Sequence, residues 1–325
     1  MKKLAITMGD PGGSGPEIIV KALFCAEIRN YCAPLVIGDR VVIREALDLL
    51  KLPLKLKVIK SPEESEPDVG LIELIDMGAI KKFKKGKPTL QGGKSSVIYV
   101  KKAVDLALGK EVDAIVTAPI SKEALKMAGF KWPGHTEMLA DLTGTKKYAM
   151  MLTGGPLKVI LVTIHVALKE VPNLITKGQV LKIIRLAKKA CDMFNIRNPR
   201  IAVSGLNPHA GESGLFGDEE IKKIIPAVKA ALKEGIPVSG PYPPDIVFHQ
   251  AYKGEIDIIV CMYHDQGLIP LKMIAFEEGV NITVGLPFIR TSPDHGTAYD
   301  IAWKGIASPS SMLQAIKTAA LLRIS

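Results

Sequence analysis

Short runs rich in valine and isoleucine alternate along this chain with longer segments whose apolar residues recur at three- and four-residue steps. An unbroken apolar run fits a strand covered on both faces, because successive side chains point to opposite sides of a sheet and both must be buried. On that basis strands are expected at residues 3–8, 34–39, 70–75, 113–118, 158–166, 200–206, 257–263 and 281–286. Helical periodicity is clearest from Val180 to Phe194, where Val180, Ile184, Ala187, Cys191 and Phe194 form one face and Lys182, Arg185, Lys188 and Lys189 lie between them. Residues 218–235 open on acids suited to a positive helix end and stop at Gly235, and residues 92–111 read as another long helix. The alternation of the two patterns predicts an α/β protein with a largely parallel, covered sheet.

Length changes that picture in one respect: 325 residues favour two lobes over a single core. No repeat, low-complexity tract or Gly/Ser-rich linker separates them, and only residues 61–68 (SPEESEPD) read as a polar exposed loop. A chain that crosses between lobes more than once leaves no such linker. The 47% hydrophobic fraction excludes disorder. The longest apolar run, residues 159–168, falls short of the roughly 18 to 20 residues of a membrane span, and the N-terminal apolar piece is too short for a secretion signal. A cytoplasmic protein without a membrane partner is expected. The four cysteines stand singly in apolar contexts, which suits reduced, buried thiols.

The net charge of +10 fits nucleic acid, an anionic small substrate, or a lysine-rich solvated surface. Apart from the cluster at residues 81–87 the lysines are dispersed and few aromatics interleave, so stacking platforms for single strands are missing. Nucleic-acid binding ranks last, and an anionic small molecule is the expected partner.

Candidate chemistry collects at strand ends. His165, His209 and His264 each lie at or just beyond the end of an expected strand, where ligand crevices open in α/β sheets. Each alone also fits a core or surface residue; three neutral imidazoles together would offer a catalytic divalent ion three ligands and an open position. The segment 205–220 (GLNPHAGESGLFGDEE) is too rich in glycines and polar residues for an ordinary connection and reads as part of a site. Lys272 and Arg290 are cationic candidates for an anion, with Arg290 in a loop after a strand that begins at Asn281. His135 and Thr136 lie at a helix start, where free N–H groups also favour anions. The loop 8–17 (MGDPGGSGPE) joins a strand to a helix and permits close backbone approach, yet it is neither a dinucleotide fingerprint nor a phosphate loop of the Gly-Lys-Ser/Thr kind.

Five motifs in this order, GDPGGSGPE, GHTEMLA, GLNPHAGESGLFGDEE, YHDQGLIPLK and GLPFIRTSPDHGTAYDIA, resemble those of the 4-hydroxythreonine-4-phosphate dehydrogenase family of vitamin B6 biosynthesis. The resemblance implies a homodimer of two-lobed α/β/α sandwich subunits of the isocitrate/isopropylmalate dehydrogenase-like type, not a Rossmann domain, with the site shared between subunits. It implies a first, cofactor-side lobe at 1–128 plus 279–325 and a second, metal and dimer-side lobe at 129–278. It assigns His165, His209 and His264 to one divalent ion (zinc, magnesium or cobalt), and His135, Thr136, Lys272, Asn281 and Arg290 to substrate. His295 and Asp300 take NAD or NADP, with Gly12 in the adjoining loop. The family usually has Ala and Ile at the positions of Gly12 and Ser14, a departure expected to make the loop more flexible and less apolar.

The implied reaction is metal-assisted oxidation of 4-phosphooxy-L-threonine by NAD or NADP, then decarboxylation to 3-amino-2-oxopropyl phosphate. Lys272, Asp245 and Asp265 are the candidate proton acceptors. Related dehydrogenases of D-threonate or D-erythronate 4-phosphate share the same ligand pattern. From a different class, a zinc hydrolase would use the same three histidines but leave HGTAYDIA and the first glycine loop without a task.

Overall fold

The computed structural model describes residues 1–324. Its twelve strands are β1 (Lys2–Thr7), β2 (Cys32–Gly38), β3 (Lys55–Ile59), β4 (Leu71–Asp76), β5 (Ala114–Thr117), β6 (Ala149–Gly154), β7 (Leu157–Leu161), β8 (Ile201–Ser204), β9 (Val238–Tyr242), β10 (Ile258–Cys261), β11 (Val280–Val284) and β12 (Ile289–Pro293). The chain divides into two compact units: Met1–Lys146 with Leu286–Leu321, and Lys147–Gly285 with the chain end from Leu322. The sequence-based limits stood at 128/129 and 278/279. Helix His135–Leu142 belongs to the first unit, where it packs on helix Leu90–Leu108.

In the first unit the strand order is β3-β4-β2-β1-β5-β12 and every pair is parallel. Ala5 of β1, for example, stands between Leu35 and Ile115. All residues of β2 and β5 are buried, so both faces are covered, which is why these strands read as unbroken apolar runs. Helices Leu90–Leu108 and Ser310–Leu321 supply part of that cover. The first begins where Thr89 Oγ1 accepts from the Gly92 N–H at 2.9 Å, a cap of about 1 kcal/mol.

The second unit runs β11-β6-β7-β10-β8-β9. Its parallel core of β7, β10, β8 and β9 is flanked by two antiparallel pairings, β11 with β6 and β6 with β7. The sheet is largely parallel, as expected; β6 and β7 run antiparallel because they form a hairpin across Gly155-Pro156, with Gly155 at φ 53°. Leu152, Leu157, Val159, Leu161, Ile259 and Leu271 form the centre of this unit's core. The expected strand 158–166 stops at Leu161, so His165 lies in the connection beyond it. Residues 218–235 form a π-helical turn, Glu220–Ile224, that runs into helix Ile225–Lys233.

The four thiols are free; Cys32, Cys191 and Cys261 are buried, and burial pushes the first two up to about 12. Cys32, Cys191 and Cys261 are protonated packing groups at neutral pH. Among the described residues no helix is long and apolar enough to cross a membrane.

Candidate active site

Parallel pairing of β7 with β10 brings two of the histidines together. Beyond the last paired residues, Val162 N–H donates to Cys261 O (2.9 Å), and Thr163 donates to Met262 O through its N–H (3.2 Å) and its Oγ1 (2.8 Å). The connections therefore leave the sheet side by side, and the rings of His165 and His264 lie 5.4 Å apart, tilted by 43°. Two imidazoles bound to one ion at about 2.0–2.1 Å and a tetrahedral angle have ring centres about 5 Å apart, so this pair fits a divalent metal. His264 Nδ1 is 2.7 Å from Asp265 Oδ1, a contact that orients the ring and would leave Nε2 as the nitrogen to ligate an ion. Ile164, Val166, Leu168, Val171 and Tyr263 line the cavity of about 560 Å³ around the pair.

His209 is not part of that pair. Among the described residues no group of three or more His, Cys, Asp or Glu is gathered closely enough to hold a metal ion. His209 opens an unusual stretch of backbone: from His209 to Gly214 six consecutive residues have positive φ (52°, 54°, 82°, 41°, 57° and 97°), and only Gly211 and Gly214 are glycines. A left-handed turn in L-residues costs about 1–2 kcal/mol per residue, so the surrounding structure must hold it. His209 is exposed at the start of this turn, its ring centre 6.3 Å from that of Phe216.

Two side chains that sequence reasoning did not single out support these segments. Gln266 is 7% exposed; its Oε1 accepts from Met262 N–H at 2.6 Å and its Nε2 donates to Gly205 O at 2.7 Å, tying the end of β10 to the end of β8. Glu220 is 2% exposed and accepts from the Leu206 and Asn207 N–H groups at 2.7 and 2.8 Å. The only prior signal was a Gln two residues after His264 and an acid that read simply as a helix start.

The remaining candidates of the second unit lie on regular elements. Lys272 is on helix His264–Ala275, its ammonium 5.5 Å from the Phe276 ring centre. Asn281 is in β11, opposite Leu152. Asp265 is exposed in the first turn of the His264 helix, and Asp245 in the first turn of helix Pro244–Tyr252.

In the first unit Arg290 is not in a loop but inside β12, 2% exposed. It donates to Thr117 Oγ1 from Nε (3.2 Å) and Nη2 (2.6 Å), and burial pushes its pKa down to about 9, with Glu137 opposing. The guanidinium stays charged at neutral pH, and a desolvated cation of this kind gains from an anionic ligand. His135 opens helix His135–Leu142 as expected, and Thr136 beside it is buried. Burial first, and the charge of Arg290 second, hold His135 well below its ordinary pKa; its buried Nε2 has no hydrogen-bond partner. The neutral ring can thus donate to or accept from a ligand without adding charge.

The first glycine loop and the segment 295–305 are stitched together. Ser14 N–H donates to Thr297 O (2.8 Å), Trp303 Nε1 to Pro11 O (3.0 Å) and Tyr299 OH to Asp10 Oδ2 (2.9 Å). Gly12 does not loosen this loop as expected: a Cβ there would lie 2.7 Å from both Lys84 O and Lys87 O, so the bare backbone is wedged against that strand of chain. His295 and Asp300 are exposed on the segment so anchored, and the buried Ser14 hydroxyl has no partner. An exposed imidazole and an exposed carboxylate, which accepts from hydroxyls, suit an adenine nucleotide in group type.

The fold defines the class: two α/β units of the isocitrate dehydrogenase-like architecture. An isocitrate dehydrogenase from Methylococcus capsulatus shares that fold at a TM-score of 0.50 and 14% identity, over 98% of this chain and 88% of its own. Within the class, the family described as pyridoxal phosphate biosynthetic protein PdxA matches residues 30–319, and the chain belongs to it. It is 49% identical to a 4-hydroxythreonine-4-phosphate dehydrogenase from Desulforapulum autotrophicum, over 98% of this chain and 94% of the relative. It is equally 49% identical to a D-threonate 4-phosphate dehydrogenase from Pectobacterium atrosepticum, over 98% of each. A crystal structure of 4-hydroxythreonine-4-phosphate dehydrogenase from Klebsiella pneumoniae superposes with a TM-score of 0.91 at 45% identity, covering 98% of both chains.

Proposed function

We propose that this protein is an NAD(P)-dependent, divalent-metal-assisted dehydrogenase that oxidises 4-phosphooxy-L-threonine and releases carbon dioxide to give 3-amino-2-oxopropyl phosphate. The observation that carries the reading is the His165–His264 pair, 5.4 Å between ring centres with Asp265 behind His264, in a chain of this family. A bound ion there would lower the pKa of the substrate hydroxyl and stabilise oxyanion charge during oxidation and decarboxylation, while the nicotinamide accepts the hydride. His165 and His264 would hold the ion, and His209 would supply the third imidazole.

The exposure of His209 supports a site completed by a second copy of the chain. So does the helix that carries His264 and Lys272, where Ile269, Met273 and Phe276 form one apolar face at 65%, 86% and 75% exposure. A homodimer would cover that face and let each copy lend His209 to the other.

Arg290 would bind the phosphate as a fixed, desolvated cation, with neutral His135 and Thr136 as hydrogen-bonding partners; Lys272 and Asn281 are the second unit's own candidates for substrate. Lys272, Asp245 and Asp265 are the candidates for the hydroxyl proton; Asp265, engaged with His264, also orients that ring. His295 would lie against the adenine and Asp300 would reach ribose hydroxyls, with Gly12 allowing close backbone approach.

Equal identity to the D-threonate relative keeps D-threonate 4-phosphate, and D-erythronate 4-phosphate with it, as a second substrate reading. Steady-state kinetics with all three phosphates, each with NAD and NADP, followed by nicotinamide absorbance, test the proposal. The threonine derivative is expected to have the highest kcat/KM. Preference for either acid would move the assignment to it, and no reduction of nicotinamide with any of the three would reject the dehydrogenase reading and favour a hydrolase.

A further inference from the structure

We propose that Glu220 is the positioning residue for His209, a buried carboxylate that holds the base of the left-handed turn so that the imidazole is presented outward in one orientation. This rests on the reading of His209 as a metal donor.

The turn cannot hold itself: His209, Ala210, Glu212 and Ser213 all take backbone angles that L-residues disfavour, and the short bonds Ala210 N–H to Asn207 O (3.1 Å) and Leu215 N–H to Glu212 O (3.1 Å) are local. Beside Gln266, which holds Gly205 O, and Glu219, whose Oε2 accepts from Asn207 Nδ2 at 2.8 Å, Glu220 is the buried restraint that takes the backbone of the turn's entry. One oxygen, Oε1, takes both the Leu206 and Asn207 N–H groups, at 2.7 and 2.8 Å, and the other, Oε2, takes Asn207 Nδ2 at 2.9 Å. Oε2 also lies 2.8 Å from where a Cβ on Gly211 would stand, so the carboxylate underlies both the entry and the middle of the turn. Three donors converging on two acceptor oxygens suit a carboxylate and not an amide, which would aim an NH₂ at the Asn207 amide.

Glu220 opens the π-helical turn Glu220–Ile224, a kind of irregularity frequent at functional sites. The same turn is tethered by Lys223, whose Nζ donates to Pro172 O at 2.7 Å. Outer residues that orient a ligand commonly govern 10- to 100-fold in metal affinity.

The test uses the full-length protein and zinc alone as probe, with affinity measured by competition against a chromophoric chelator and backbone mobility by hydrogen exchange of the segment 205–217. Glu220→Ala is expected to weaken zinc binding by about 10- to 100-fold and to speed exchange at Leu206 and Asn207. Glu220→Gln keeps an acceptor for the two backbone groups and loses only the Asn207 side-chain bond, so its loss should be smaller than that of Glu220→Ala. His209→Ala is the control. Zinc affinity within about twofold of the parent in Glu220→Ala, with a clear loss in His209→Ala, would overturn the positioning role alone. No loss in His209→Ala would remove the donor reading and this proposal with it. If Glu220→Ala does not fold, Glu220→Gln decides: weaker zinc binding with faster exchange upholds the role, and parental values of both overturn it.

Discussion

Two glycine-rich loops of this protein follow a strand, precede a helix and are anchored by a buried glutamate, yet they end in opposite states. The loop after β1 leads to Glu17, fully buried, whose carboxylate accepts from Trp303 N–H and from Gly305 N–H (2.8 Å). The loop after β8 leads to Glu220, whose carboxylate accepts from the residues at the loop's own entry. Glu17 thereby fastens its loop to a segment nearly three hundred positions along the chain, and every residue from Met8 to Glu17 is buried. Glu220 fastens its loop only to itself, and His209 and residues 212–216 remain exposed in a strained turn. A buried acid at the start of a helix can thus close a loop into the core or hold one out of it. The location of its N–H donors decides which.

Removing the anchor should hurt the closed loop most. Glu17→Ala leaves two buried N–H groups without an acceptor and is expected to cost about 3 kcal/mol by denaturant unfolding. A cost under about 1 kcal/mol would mean that other contacts hold the loop. The next test reverses sign between the loops. Gly12→Ala pushes a methyl group against Lys84 O and Lys87 O and should destabilise by about 2 kcal/mol, seen as a lower thermal midpoint. Ala210→Gly, in contrast, relieves one left-handed position (φ 54°) and should stabilise by about 1 kcal/mol. If both substitutions change stability in the same direction, the contrast between a wedged loop and a strained one is wrong.

Much of the fold was legible because covered parallel strands must be apolar on both faces. The eight runs read as strands correspond to β1, β2, β4, β5, β7, β8, β10 and β11. The four that escaped did so for different reasons. β3 (KLKVI) has lysines and part-exposed positions, β9 (VSGPY) contains Gly and Pro, β6 (AMMLTG) is apolar but lacks Val and Ile, and β12 (IRTSP) buries an arginine. Arg290 was assigned to a loop because no local pattern reveals that Thr117, on the neighbouring strand, will take two of its N–H groups. The flexibility expected from Gly12 failed for the same reason: a glycine without a side chain either moves freely or lets another segment approach, and only its neighbours decide.

By itself the amino-acid sequence determined the α/β class, most of the strands and long helices, and which residue types would carry chemistry, because hydrophobic periodicity and side-chain identity are local properties. Tertiary structure decided which of those residues meet. Parallel pairing of β7 with β10 joined His165 to His264, whereas His209 stands exposed at the start of a left-handed turn. Pairing and backbone handedness depend on contacts between segments far apart in the chain, so they could not be read from the spacing of the histidines.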